Sequence, residues 1–540
     1  MARESKIRIC KGIKLDKTYN NVLNYSEANL LALCESNSHL VASANDYSFI
    51  RARGTISVNF TYSQCLQANY MAFQNKDYDN KWFFAFIDDV TYISDGCTEI
   101  SYTIDAWQTF FNDWTAGNCF VIREHTNNDT IGANTIPENI ETGEYICNSH
   151  YKDTTMDSYA TDLCFIMAST SEPISGEAKD TVTHSSCYNG IYTGLTYFRY
   201  DTTTAIDLIL EIFANSAKLD AINGIFMAPK WLASYYESGV EPAYTYKEVL
   251  QSNSPSTFTI SVAKQATING YTPKNNKVKC FPYNYLLVSN NIGQNAILHY
   301  EKFSDASNAT FTVKGVLNPG CSINLTPTNY NGNTSSDIDA IQLGKFPICN
   351  YQNDMYTNWL TQNSVNVLGA TITSDDMNIA SSAIGGVAST ATGIATGNYL
   401  GAGISAVNGT NSVIGAIMQK KQHNMIPATI SGQLNSADIN VASGNNTFHF
   451  YKMSVKAEYA RCIDEYFTKY GYQTNRVKTP NITGRTYWNY IEIGSNDVIG
   501  HGNVPNKYMD IINNIARKGV TIWHNHDNIG NYSLNHTIVS

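Results

Sequence analysis

The residues with the look of chemistry are few. Trp523-His524-Asn525-His526-Asp527 has the superficial form of a metal-dependent nuclease motif, with two imidazoles and a carboxylate within four positions. No further His or Asp spacing accompanies it, so a structural role is the simpler reading. Asp88-Asp89 and Asp375-Asp376 are adjacent carboxylate pairs. A general acid and its partner must face one reaction centre several ångströms apart, which neighbours on a strand or in a loop do not do; both pairs read as solvated charges. The chain has no H-E-x-x-H, G-x-S-x-G or P-loop pattern. Its 12 cysteines are scattered singly from Cys10 to Cys462 without a C-x-x-C pair, which argues against a zinc ribbon or a redox motif. No catalytic residue, metal ligand or cofactor site is assigned, and an enzyme is not expected.

Chemistry of another kind lies between Asp375-Asp376 and Lys420-Lys421, because no charged residue occurs from Met377 through Gln419. The stretch is built of Gly, Ala, Ser, Thr and Ile, without proline. Ile379 to Thr396 and Tyr399 to Met418 each approach the roughly 20 residues that span a bilayer as a helix, with Gly397-Asn398 as a turn between them. Ser381, Gly385, Ser389, Gly393, Gly397, Gly401, Ser405 and Gly409 recur at every fourth position. In a helix these form a stripe of small side chains along which helices approach closely in lipid. A stripe running unbroken through Gly397 makes one long helix instead of a hairpin, and the sequence leaves both open. Ile384, Ile394, Ile404, Val407, Val413, Ile414, Ile417 and Met418 are too many apolar side chains for a plain flexible spacer. Such a segment must be sheltered from water before use, for example among its copies inside a closed oligomer.

The rest of the chain must position that segment. At 540 residues it is too long for one core and implies several domains. Charged residues make up 15%, against about 25% in ordinary domains, while there are 36 tyrosines. That balance suits half-buried β surfaces and large subunit contacts. The net charge of −10 gives no basic footprint for holding a polyanion. MARESKIRICKGIKLDK has no apolar core of a secretory signal, so the cysteines are expected to be free and mostly buried thiols of a protein folded in a cytoplasm.

Along the chain, Ser57 to Tyr62 alternates as a half-buried strand, and Lys81 to Ile87 is dense enough for a strand covered on both faces. Asp105 is placed to cap a helix reaching Trp114, whose aromatic residues read as core. Strand-like pieces such as Leu163 to Met167 follow, with a helix predicted near Ala205 to Leu219 and no fixed-period repeat. Gln352 to Val367 can form a helix leading into the uncharged segment. Lys456 to Tyr470 is an amphipathic helix with Tyr459, Cys462, Ile463, Tyr466, Phe467 and Tyr470 on one side and Gly471 ending it.

Long stretches of the sequence resemble the tail knob proteins of small short-tailed podophages that infect Gram-positive bacteria. They are Tyr70 to Phe86 (YMAFQNKDYDNKWFFAF), Tyr102 to Trp107 (YTIDAW), Phe120 to His125 (FVIREH), Lys456 to Pro480 (KAEYARCIDEYFTKYGYQTNRVKTP) and Gly519 to Ser533 (GVTIWHNHDNIGNYS). They cover the first 125 and last 90 residues. The resemblance implies a mainly β or α+β, multidomain fold with tail-tube-like β-barrel domains assembled as a homohexameric tube. It implies tube-forming residues 1–125 completed by 450–540, distal mixed α+β or β domains at 126–349, a helix at 350–376, the membrane-active loop at 377–419 and a return segment at 420–449. The implied role is a distal tail knob of the virion, assembled in the host cytoplasm. Its lumen passes viral DNA without sequence-specific binding, and its loops plug that lumen until they form a pore in the host cell membrane. Implied partners are its own copies, the upper collar or tube side of the tail, and a tip lysin or appendages. The alternative is a receptor-binding tail tip in which the glycine-rich segment is only a spacer.

Overall fold

The computed structural model describes residues 5–50, 54–76, 79–153, 163–169, 187–188, 191–192, 196–200, 222–234, 246–248, 256–291, 293–317, 321–331, 341–344, 348–350, 447–495 and 497–539. The fold is mainly β, and the chain divides into two compact units, residues 1–144 with 267–283 and 455–540, and residues 145–266 with 284–454.

The first unit starts from a seven-stranded antiparallel sheet, in the order Leu40–Ala44, Ser5–Cys10, Tyr70–Asn75, Trp82–Ser94, Cys97–Ile104, Thr55–Val58, Ser48–Ile50. Its two edge strands are consecutive in the chain, joined by Asn45-Asp46-Tyr47. A flat sheet would put those edges roughly 29 Å apart at about 4.8 Å per strand, whereas the linker spans at most about 14 Å. The sheet therefore curls. One face buries Ile7, Ile9, Ile56, Val58, Met71, Phe73, Ala85 and Ile100 together. On the other, Tyr70, Ala72, Trp82, Phe84 and Phe86 pack with Leu30, Trp488 and Trp523. The dense Lys81 to Ile87 run is thus covered on both faces, as its composition predicts.

The predicted Ser57 to Tyr62 strand is shorter than expected. Ile56 and Val58 keep the alternation, but the strand ends at Val58, and Thr61 opens a one-turn helix at Tyr62–Cys65, its backbone N–H held by the Gln64 side chain. The helix after Asp105 covers only Ala106–Phe110, followed by a 3-10 turn, and Trp114 begins a strand instead. Asp105 does cap it, accepting from Gln108 N at 3.1 Å. Trp107, Phe110 and Trp114 are core, as their spacing predicts.

A second sheet of five strands interleaves distant parts of the chain: Asn21–Leu23, Val520–Trp523, Trp488–Ile493, Cys119–Glu124 and Tyr472–Lys478. Asn21–Leu23 runs parallel to Val520–Trp523, and the other pairs are antiparallel. The helix Asn506–Lys518 packs Ile512, Ile515 and Ala516 into the core with Trp107 and Ile491.

The expected amphipathic helix runs from Ala457 to Tyr470, ended by Gly471 at φ +67°. Its buried side is rotated from the expected one: Cys462 is exposed, while Asp464 and Thr468 are buried. The cause is a polar contact that periodicity does not reveal. Asp464 accepts from Tyr271 Oη (2.7 Å), Lys274 N (2.7 Å), Asn275 N (2.9 Å) and Asn275 Nδ2 (2.8 Å), anchoring residues 271–275. A second buried knot joins Glu138 to both Arg123 and Lys277. Among the described residues ten cysteines are free; seven of these are buried, and Cys147 and Cys462 are exposed.

The second unit is built of antiparallel sheets. One orders Tyr246–Glu248, Thr196–Tyr200, Leu163–Ser169, Ile222–Pro229 and Ile348–Asn350. Leu163–Ser169 is buried along its whole length. Another sheet orders Ser256–Ala263, Asn308–Val316, Ser322–Thr328 and Ile341–Gly344, and a third Tyr145–Lys152, His449–Val455, Asn284–Ser289 and Asn295–Leu298. The helices predicted near Ala205 to Leu219 and Gln352 to Val367 lie outside the described residues.

Candidate functional site

The curled sheet has one face that changes character along its width. Cross-strand partners share a face, so the pairs Phe86↔Thr103, Asp89↔Ser101, Thr91↔Glu99, Glu99↔Ser57 and Ser101↔Thr55 trace one continuous side. Under the second sheet that side is Phe86, Phe84 and Trp82. Beyond a register shift between Ile87 and Asp89 it becomes Thr55, Ser57, Asp89, Thr91, Glu99, Ser101 and Thr103. Asp88 joins it, accepting from Thr103 Oγ1 at 2.7 Å. These residues are exposed or half-buried, while Ile56, Val58 and Ile100 behind them are sealed.

The face therefore presents the hydroxyls of Ser57, Thr91, Ser101 and Thr103 and three carboxylates, while the Thr55 hydroxyl is itself buried. Lys17 pairs with Asp88 from a neighbouring loop. Asp89 accepts from Thr91 Oγ1 at 3.3 Å, and at the hairpin turn Tyr92 Oη donates to Asp95 at 2.9 Å. Within this polar stretch the strands Thr55–Val58, Trp82–Ser94 and Cys97–Ile104 contribute no Lys or Arg, whereas farther along the same side, past Trp82 and Phe84, the first strand brings Lys6 and Arg8. The polar stretch thus carries three carboxylates against one cation, Lys17, which is already paired with Asp88. Asp88-Asp89 is the solvated pair expected. The polar face around it was not anticipated, although the alternation Glu99-Ile100-Ser101-Tyr102-Thr103-Ile104 was enough to reveal it.

The uncharged segment is framed on both sides within the second unit. The chain leaves the described residues at Ile348–Asn350, an edge strand paired with Ile222–Pro229 (Gly224↔Asn350), and returns at Thr447. Thr447 and Phe448 are buried, with Thr447 Oγ1 donating to Asp153 O at 3.2 Å. Ser381, Ile384, Gly385, Ser389, Gly393, Ile394, Gly397, Gly401, Ile404, Ser405, Gly409, Ile414 and Ile417 lie outside the described residues, as do Asp375, Asp376, Lys420 and Lys421. Among the described residues no helix is long and apolar enough to cross a membrane.

The histidine motif serves to fasten chain segments. His524 Nδ1 meets Asn24 Nδ2 at 3.2 Å and its Nε2 meets Asn489 Oδ1 at 3.0 Å. His526 Nε2 accepts from Lys14 N at 3.1 Å, and Trp523 Nε1 donates to Asn21 at 2.8 Å. Burial lowers the basicity of both imidazoles. Among the described residues no group of three His, Cys, Asp or Glu side chains could hold a metal ion.

The curled, mainly β first unit belongs with tail proteins by comparison: residues 3–115 match the N-terminus of the caudoviral major tail protein. Residues 243–537 match the C-terminal domain of the tail knob protein gp9 of Bacillus phage phi29, and the chain belongs to this tail knob family. Its similarity to gp9 of phage phi29 is 24% identity over 89% of each chain, and to gp9 of Bacillus phage PZA 25% over 90% of each. The tail knob protein gp12 of bacteriophage C1 shares the fold, with a TM-score of 0.63 at 14% identity over 99% of this chain and 100% of that one.

Proposed function

We propose that this protein forms the distal tube of a short phage tail, a homohexamer whose channel passes the genome and whose segments 377–419 are held inside until they leave and open a pore in the host cell membrane. The observation that carries the membrane part is the uncharged run from Met377 to Gln419, with its four-residue period of small side chains between two charged pairs. Family membership and the curled sheet support tail-tube-like barrel domains. The predominance of hydroxyls and carboxylates over cations at Ser57, Asp88, Asp89, Thr91, Glu99 and Ser101 supports a lumen along which DNA slides, because each lysine contact on such a surface would add to salt-sensitive retention. Low charge and abundant tyrosine favour the large permanent interfaces a hexamer needs. Other tail proteins of the virion are its axial partners.

The test has two arms. Light scattering at micromolar concentration is expected to give a hexamer, and a monodisperse monomer contradicts the tube. A peptide covering 377–419 is expected to release dye from liposomes, and no release at any pH from 5 to 8 contradicts the pore.

A further inference from the structure

Several sealed hydrogen-bond donors of the first unit gather around one buried arginine. Arg485 is 5% exposed, yet its guanidinium forms no ion pair or hydrogen bond with the protein, and its Nε is sealed from solvent. The C-terminal residues pair with this segment: Arg485 bridges Ile538, Thr486 N donates to Thr537 O at 3.0 Å, and Val539 N donates to Gly484 O at 3.0 Å. That pairing brings in His536, whose ring lies flat on the fully buried Trp488, with centroids 3.7 Å apart and 5° between planes. Neither nitrogen of His536 has a partner, nor has Trp488 Nε1, and all three atoms are sealed. The neighbouring imidazoles differ. His125 accepts from Tyr490 N at 2.8 Å and donates to Thr468 O at 3.1 Å, and His524 engages both its nitrogens as described above.

A sealed polar atom without a partner is costly, and a sealed charge more so. The charge on Arg485 stays, because a guanidinium does not give up its proton in a protein. Both oxygens of Asp129, the carboxylate that acts on Arg485 from a distance, are taken by Tyr472 Oη and by Asn276 N (3.2 Å). Burial brings His536 down to about 3, with the Arg485 charge adding to the shift, so the guanidinium, imidazole and indole are neighbours. At neutral pH the His536 ring is uncharged, with one N–H and one lone pair. The sealed atoms are thus three donors, on Arg485 Nε, Trp488 Nε1 and His536, against one acceptor, the other His536 nitrogen. A water molecule placed there has two protons to give and one acceptor to receive them. A small anion accepts from all three donors and supplies the counter-charge that Arg485 lacks.

We propose that Arg485, Trp488 and His536 form a buried site for a monatomic halide such as chloride, which ties the C-terminal residues 536–539 to the segment 484–488. The ion accepts from the guanidinium, the indole N–H and the imidazole N–H. Because these nitrogens are sealed, the ion is enclosed as the C-terminal residues fold down, which excludes phosphate or a carboxylate ligand docking from outside. Neither the tube nor the membrane reading bears on this site.

The test is urea unfolding of the full-length protein at fixed protein concentration and constant ionic strength. Sodium chloride replaces sodium gluconate from about 1 to about 100 mM, in native protein and in Arg485→Met. An anion held by the folded chain alone raises the folding constant in proportion to its concentration once it exceeds the dissociation constant. Native protein is expected to show a rise of roughly fivefold or more over this range, and the variant less than about twofold. No rise in native protein, or an equal rise in the variant, overturns the site. A second reading needs no substitution: crystals of native protein grown in bromide are expected to show an anomalous peak between Arg485, Trp488 and His536. The absence of that peak also overturns the site.

Discussion

The Tyr70 hydroxyl donates a 2.9 Å hydrogen bond to Oδ2 of Asp105, and both residues are sealed from solvent where the curled sheet meets the Ala106–Phe110 helix. Burial raises the Asp105 carboxyl to about 7, against the hydrogen bonds from Gln108 N and Tyr70 that favour its charged form. The folded state thus keeps a proton that the unfolded chain gives up near pH 4. Stability from this site is complete below about pH 4 and is lost as pH rises toward 7. Asp105→Asn keeps a capping side chain and removes the titration. Calorimetry from pH 5 to 8 is expected to show native protein losing stability relative to the variant as pH rises.

Gly471 ends the Ala457–Tyr470 helix at φ +67°, and the Glu124 carbonyl lies where a Cβ would stand. Gly471→Ala combines left-handed backbone strain with a backbone clash and is expected to cost about 2 kcal/mol or more in urea unfolding.

Glu138 balances two buried cations, Arg123 and Lys277, and accepts from Gln473 N at 3.1 Å. Glu138→Gln leaves positive charge without a counterion and is expected to destabilise by about 3–5 kcal/mol. Adding Lys277→Met to that variant removes one stranded cation and is expected to recover part of the loss in the same unfolding assay.

What the sequence revealed depended on the range of the contacts. The Lys81 to Ile87 part of the Trp82–Ser94 strand, the Asp105 cap and the Ala457–Tyr470 helix were legible from local composition and spacing, because burial imposes a pattern on neighbouring residues, whereas the continuation of that strand to Ser94 was not. The exposure of Cys462 and burial of Asp464 were not legible, since Asp464 finds its partner Asn275 in a loop 189 positions away. The same holds for Glu138 with Lys277, separated by 139 positions. The Ser57 to Tyr62 strand was overextended because Thr61 and Gln64 make a local turn that competes with alternation. The polar face was readable in part, as alternation at Glu99 to Ile104. Its continuity with Thr55 and Asp89 needed the strand register.

If the face of Thr55, Ser57, Asp89 and Ser101 lines the DNA path, lysines placed there should slow passage. Virions carrying Ser57→Lys with Ser101→Lys are expected to assemble and to eject DNA more slowly. The delay should fade as salt rises, with a logarithmic slope of about one for each phosphate the new lysines neutralise. Time-resolved DNA release at 50 and 200 mM salt reads this directly.

Removal of residues 377–419 from the intact virion protein tests the central claim most directly. Particles with this deletion are expected to assemble a tail of normal composition, adsorb to the host and fail to deliver DNA into the cell. Normal infection by deletion virions would contradict the account and reduce the segment to a spacer.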